Sequence, residues 1–316
     1  MYAAQMQASF SISLWRNSID KSAAQWYYNR MYPYLFGNEH LPMYGILLAA
    51  GLLAALLLYK IICRIKKVDD HTYAFYSLLA IISIAAGIGG AALFQLLYDA
   101  IAWVQAGKVG KFEGGGLTFM GGLITGVAVF VLGTLLFAKG EVKRNFFACA
   151  SYAAPCIVTG HIFGRLGCFC AGCCYGKPTS GALGMVFPDL IGWSDYAATG
   201  GRAYPTQLFE AVFLAVLLAV MLVLLFKFDY VHVQLPLYGA AYAVFRFCIE
   251  FLRGDDRGSF IPGLSPSQMQ AIVLLLVSIA LAVTVFGYRV IPFAKAKDKA
   301  VPPENAEQTA PDDTKQ

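Results

Sequence analysis

Residues 206–227 read TQLFEAVFLAVLLAVMLVLLFK. Between Glu210 and Lys227 the stretch has no charged or strongly polar side chain, and its apolar residues follow one another without a strand or helical period. An uninterrupted apolar run of about 20 residues is what an α-helix needs to cross the hydrocarbon of a bilayer. Six more runs of this character lie at 42–63, 73–99, 117–138, 146–164, 235–252 and 267–290. The run 146–164 is the most interrupted, with Pro155, cysteines and His161 inside it. The run 235–252 is broken by polar residues and suits a helix that lines a cavity.

Composition points the same way. Of 316 residues, 58% are hydrophobic and 14% charged, whereas a soluble domain carries about 25% charged residues. The expected fold is an all-α integral membrane protein of about seven transmembrane helices with a small extracytoplasmic head. That head falls in the longest extramembrane stretch, 168–204, with turn signals at Gly172, Gly176-Lys177-Pro178 and Gly200-Gly201. A net charge of +5 would invite a nucleic-acid reading in a soluble protein. Here the basic residues sit between and beyond the apolar runs, so the partner expected is the membrane, with no nucleic acid.

Lys60, Arg64, Lys66 and Lys67 follow the first run, Lys139, Lys143 and Arg144 the third, and Arg289, Lys295, Lys297 and Lys299 the seventh. With seven spans these segments share a side, which the positive-inside rule makes cytoplasmic. The N-terminus is then outside and the C-terminus cytoplasmic. The chain divides into an N-terminal segment 1–40, a transmembrane domain 41–291 and a tail 292–316. Residues 1–40 lack the basic-then-apolar layout of a cleaved leader. Their Trp and Tyr residues suit an interfacial belt, and a partly disordered tail is the other reading. From 298 onward the chain has almost no large apolar side chain and is expected to be a disordered cytoplasmic tail.

An ionisable side chain within a span costs several kcal/mol unless paired, and so marks a functional candidate. Tyr242, Arg246, Glu250 and Arg253 recur on one helix face. Two readings apply: Arg246 and Glu250 satisfy one another, or Arg246 donates to a phosphate while Glu250 orients it. His161 and Arg165 are likewise one turn apart, amid Gly164, Gly167, Gly172 and Gly176. Arg165 is either an anion clamp or an arginine snorkelling from a helix end. Gly121 and Gly122 open the third run, for close helix packing or for the approach of a lipid headgroup. The glycine-rich segment is no dinucleotide fingerprint, since strand–turn–helix context is missing, and no cofactor is expected.

Tyr44-Gly45, Gly121-Gly122-Leu123-Ile124, Gly164-Arg165-Leu166-Gly167-x-Phe169, Gly176-Lys177-Pro178-Thr179, Gly184-Met185-Val186-Phe187-Pro188, Tyr204-Pro205-Thr206-Gln207-Leu208-Phe209-Glu210 and the Tyr242/Arg246/Glu250 stripe occur in this order. Together, over roughly residues 36–290, they resemble the phosphatidylglycerol–prolipoprotein diacylglyceryl transferase family. The resemblance implies a multi-pass protein of the bacterial cytoplasmic (inner) membrane with an outward-facing site. It implies transfer of a diacylglyceryl group from phosphatidylglycerol to the lipobox cysteine of a lipoprotein precursor, releasing glycerol phosphate. Arg165 and Arg246 would then hold the phosphodiester and stabilise its departing charge, with Glu250 orienting Arg246. Tyr44, Tyr242, Glu210, Cys168 and the glycines Gly121, Gly122, Gly164, Gly167 and Gly176 would shape the substrate site. A divergent headgroup transferase with another acceptor, and a thiol-redox or transport protein on the same scaffold, are the competing classes.

The motif also departs from the family's. Cys168, Ala171 and Cys173 stand where the resemblance places Asn, Asn and Glu, Met120 where it places His, and Ala92 where it places Arg. His161 is therefore a candidate acceptor of the thiol proton, with Glu210 and the tyrosines as competitors. Cys168, Cys170, Cys173 and Cys174 crowd within seven residues, open to packing or a disulfide, catalytic thiol use, or metal and redox roles. Their spacing is no paired Cys-x-x-Cys knuckle, and no metal is expected.

Overall fold

The computed structural model describes residues 41–105, 107, 118–187, 190–191, 193–254 and 263–287. The segment 1–40, the tail 292–316, Lys108, Lys111 and the glycines at 114–116 lie outside the described residues. The apolar runs form α1 (Met43–Ile65), α2 (Asp70–Gln105), α3 (Phe119–Phe137), α5 (Phe146–Cys170), α6 (Thr206–Phe226), α7 (Gln234–Ile249) and α8 (Pro266–Gly287). A short α4 (Gly140–Arg144) joins α3 to α5, and a 3-10 turn, Glu250–Leu252, extends α7. Among the described residues seven helices are long and apolar enough to cross a membrane. In hydrocarbon every backbone polar group must be satisfied within its own helix, which is why apolar runs of this length become helices.

Two boundaries differ from the sequence expectation. Helix α2 has 36 residues, about 54 Å at 1.5 Å per residue, well beyond a hydrocarbon core of ~30 Å. Helix α5 passes Gly164 and ends at Cys170, so the connection between spans starts at Ala171 rather than at 168. The extra turn is held from outside the segment. A Cβ at Gly167 would stand 3.0 Å from the Tyr44 ring, so glycine there lets the start of α1 lie against it.

Small residues bring the helices together, as expected where lipid tails remove the hydrophobic incentive for association. Helices α2 and α3 pair closely: a Cβ at Gly121 would lie 2.5 Å from Phe94 Cβ, and one at Gly122 3.1 Å from the Gly87 carbonyl oxygen. Helix α1 crosses α5 at Gly51, where a Cβ would come within 2.5 Å of Phe163 Cβ. Pro155 lies inside α5, and Thr159 Oγ1 donates to its carbonyl at 2.9 Å.

The two ends of the bundle differ in character. Where α1 ends and α2 begins, Tyr59, Ile62, Tyr76, Cys149 and Leu225 form a buried core, and Lys66 joins the Leu225 carbonyl and Asp229. Thr72 N–H donates to Asp69 Oδ1 at 2.8 Å, which holds the Asp69 carboxyl below the ordinary carboxylate range. At the other end, residues 171–205 fold back in an antiparallel pair, β1 (Met185–Val186) with β2 (Arg202–Ala203), over a small core of Phe187, Leu190, Tyr196 and Ala203. This connection grips the end of α7. Gly176 pairs with Arg253 in an antiparallel bridge, and Lys177 N–H donates to the Leu252 carbonyl at 2.7 Å.

Candidate active site

Arg165, Glu210, Arg246 and Glu250 converge at that second end, in two carboxylate-centred clusters. The first is built by α5, α6 and α7 around Glu210, which is 1% exposed. Arg165 Nε approaches Glu210 Oε1 at 2.9 Å, Tyr242 donates its hydroxyl to the same oxygen at 2.8 Å, and His161 Nε2 lies 3.5 Å away. His161 Nδ1 meets the Tyr238 hydroxyl at 3.2 Å, and its ring packs edge-on against Tyr242 with centroids 4.8 Å apart. Both imidazole nitrogens are thus engaged. Arg165 is tied to Glu210 through Nε.

The second cluster sits one turn further along α7. Arg246 Nη2 lies 2.9 Å from Glu250 Oε2 and donates to Ser267 Oγ at 2.8 Å. The Glu250 contact has ion-pair distance but not hydrogen-bond alignment, and Glu250 Oε2 and Arg246 Nη1 are both buried without a hydrogen-bond partner. Ser265 Oγ donates to Glu250 Oε1 at 2.8 Å, and Arg253 Nε comes within 3.9 Å of Oε2. Ser265 also caps α8: Gln268 N–H donates to Ser265 Oγ at 3.2 Å and Ser265 N–H to Gln268 Oε1 at 3.0 Å. This reciprocal capping box fixes the serine whose hydroxyl holds Glu250.

Arg253 joins these clusters to the cysteine turn, where its positive charge lies beside Cys174. Hydrogen bonds from Cys168 and Cys173, with the Arg253 charge beside them, hold the Cys174 thiol below the ordinary range. The same network pushes the Cys173 thiol up.

Of the residues singled out in the sequence, His161, Arg165, Glu210 and Tyr242 meet in the first cluster, and Arg246 and Glu250 in the second. The stripe on α7 is therefore divided between them. Tyr44 lies against Gly167, in the electrostatic field of Arg165 and the cysteines. A Cβ at Gly164 would meet no atom within 4 Å, so there is room at the helix position next to Arg165. The space beside Gly121 and Gly122 is filled by α2, and that beside Gly176 by Leu252 and Tyr204. Ser265 and Ser267 were not read as functional in the sequence. The signature Ser265-Pro266-Ser267-Gln268, a cap residue with proline next and glutamine at the third position, was the available signal.

A bundle of seven apolar helices, among the described residues, with Arg165, Arg246, Arg253, Glu210 and Glu250 gathered at one end defines a polytopic membrane protein with a charged polar core. The sequence profile described as prolipoprotein diacylglyceryl transferase matches residues 33–284. The phosphatidylglycerol–prolipoprotein diacylglyceryl transferase of Clostridium tetani is 32% identical over 241 residues, covering 75% of this chain and 90% of that protein. Transferase 2 of the same description from Clostridium perfringens is 30% identical over 75% of this chain and 88% of its own length. The protein of that description from Dehalococcoides mccartyi strain 195 is 31% identical over 80% and 91%. The chain belongs to the prolipoprotein diacylglyceryl transferase family.

Proposed function

We propose that the protein transfers a diacylglyceryl group from phosphatidylglycerol to the lipobox cysteine of a lipoprotein precursor, at the outer face of the bacterial cytoplasmic membrane. The single observation that carries this reading is Arg246. Its guanidinium is buried and held by Glu250 and Ser267, yet among the described residues Nη1 has no hydrogen-bond partner. An unpaired buried donor costs about 1–3 kcal/mol or more, and a phosphodiester oxygen is the partner that would satisfy it. The charges fit as well. Arg165 and Arg246 would both bring positive charge to a headgroup phosphate of single negative charge.

In the reaction the acceptor sulfur forms a bond to the glyceryl carbon as the carbon–oxygen bond to phosphate breaks. Negative charge grows on the departing phosphate, where preorganised donors lower the barrier most. Arg246, fixed by Glu250, would meet that charge, and Arg165 would complete the cradle from the side of Glu210. His161 and Tyr242, both bonded around Glu210, would position Arg165 and the headgroup. The basic residues Lys60, Arg64, Lys66, Lys67, Lys139, Lys143, Arg144 and Lys227 lie toward the opposite end, which supports an outward-facing site with the C-terminus cytoplasmic. An apolar hollow at that basic end, lined by Phe147, His232, Leu235 and Leu281, has no guanidinium to recognise a phosphate.

Labelled phosphatidylglycerol, a lipobox peptide and the purified full chain test the proposal. Thioether-linked diacylglyceryl peptide and free glycerol phosphate are expected. Failure to form either, with protein that stays folded in phosphatidylglycerol-containing membranes, would overturn it.

A further inference from the structure

Three sulfurs meet where the sequence departs from the family motif. Cys168 lies in the last turn of α5, Cys173 and Cys174 follow in the turn after it, and their Sγ atoms all lie within 4.8 Å of one another. Around a metal with bonds of about 2.3 Å to sulfur, thiolate ligands stand roughly 3.8–4.0 Å apart. The triad is thus within roughly 1 Å of a ligand set. A disulfide would use two of the sulfurs and strand the third.

The backbone is committed to this arrangement. Cys173 N–H donates to the Cys168 carbonyl at 3.1 Å and closes the turn. Cys174 has φ of 66°, a left-handed conformation that costs a residue with a Cβ about 1–2 kcal/mol. From α6, Gln207 Nε2 holds the Cys173 carbonyl and Thr206 Oγ1 the Cys174 carbonyl, the latter at 2.7 Å. The Arg253 guanidinium lies beside Cys174, where outer partners of metal ligands stand, and reaches toward Glu250. All three cysteines are partly exposed, so an incoming group has access.

We propose that Cys168, Cys173 and Cys174 form a three-thiolate site for a thiophilic divalent ion, zinc by its ligand set, whose fourth position takes the acceptor thiol. The second half rests on the function proposed above. A thiol is deprotonated when it coordinates such an ion, and its proton passes to water. The bound sulfur then makes the new carbon–sulfur bond while the phosphate leaves with the electron pair of the broken carbon–oxygen bond. The site belongs to the class of catalytic sites with three protein ligands and an open position.

Cobalt(II) is the probe. Added to the reduced, chelator-treated full chain, it should bind at one ion per chain with thiolate-to-cobalt charge-transfer absorption, and zinc should displace it. Cys168→Ser, Cys173→Ser and Cys174→Ser should each weaken binding at least tenfold, whereas Cys170→Ser and Cys248→Ser should leave it unchanged. A lipobox peptide should shift the cobalt spectrum, and its Cys→Ser analogue should not. Unfolding midpoints matched to the unsubstituted chain show that each variant is folded. Absent absorption in the folded chain, binding indifferent to the triad, a spectrum blind to the peptide thiol, or a disulfide within the triad in protein taken from thiol-blocked membranes would each overturn the inference. Full transfer by metal-free protein overturns this inference and leaves the proposed function standing. Metal and thiol binding without any transfer leaves the inference and overturns the function.

Discussion

Glu210 and Glu250 are both buried carboxylates beside a buried arginine at the same end of the bundle, yet their surroundings are opposite. Glu210 is saturated on one oxygen by Arg165, Tyr242 and His161, drawn from α5 and α7. Glu250 faces two guanidiniums and one serine, and its cluster keeps an unsatisfied donor on Arg246 and an unsatisfied acceptor on itself. A closed network rigidifies what it holds, whereas one with an unsatisfied buried donor is incomplete until an acceptor arrives. On the function proposed above, the Glu210 cluster would position and the Glu250 cluster would bind.

The largest effect separating them is expected from Arg246→Ala, which should lower kcat/KM for transfer by about 10³-fold, the scale of losing a donor to developing negative charge. Arg246→Lys should recover little, because one ammonium cannot serve Glu250, Ser267 and a phosphate in the guanidinium's geometry. Next comes Glu210→Gln. It keeps an acceptor for Tyr242 but removes the charge facing Arg165, and initial rates should fall by about 10–100-fold, or ~1.4–2.8 kcal/mol. A Glu210→Gln defect exceeding that of Arg246→Ala would invert the comparison.

Smaller effects sharpen the support of Glu250. Ser265→Ala loses both the cap of α8 and the bond to Glu250, whereas Gln268→Ala loses only part of the cap. Each should lower unfolding stability by about 1 kcal/mol, read by thermal or denaturant melts, and Ser265→Ala alone should also slow transfer several-fold. The smallest expected contrast lies on α5. Gly167→Ala forces a methyl to 3.0 Å from the Tyr44 ring and should lower the melting temperature, whereas Gly164→Ala meets nothing within 4 Å and should leave it unchanged.

Much of this division was hidden in the sequence for identifiable reasons. The seven helices were legible because crossing hydrocarbon demands apolar length, and the runs at 206–227 and 42–63 supply it without competing signals. The end of α5 was not, since its last turn packs against Tyr44, more than a hundred positions away. Arg165, Arg246, Glu210 and Glu250 stood out as charges in or next to apolar runs, and the Arg246–Glu250 pairing followed from helical spacing. The partnership of Arg165 with Glu210 did not, because it joins two helices across the folded connection 171–205. The cysteines show the same limit. Spacing along the chain argued against a metal site, while the left-handed turn at Cys174 brings the three sulfurs together.

A structure of the full chain with phosphatidylglycerol bound tests the central claim most directly. The account predicts a phosphate oxygen about 3 Å from Arg246 Nη1, with Glu210 still bonded to Arg165 and Tyr242. A headgroup held elsewhere, with Arg246 Nη1 still unpartnered and the Glu210 network opened to receive the phosphate, would contradict it.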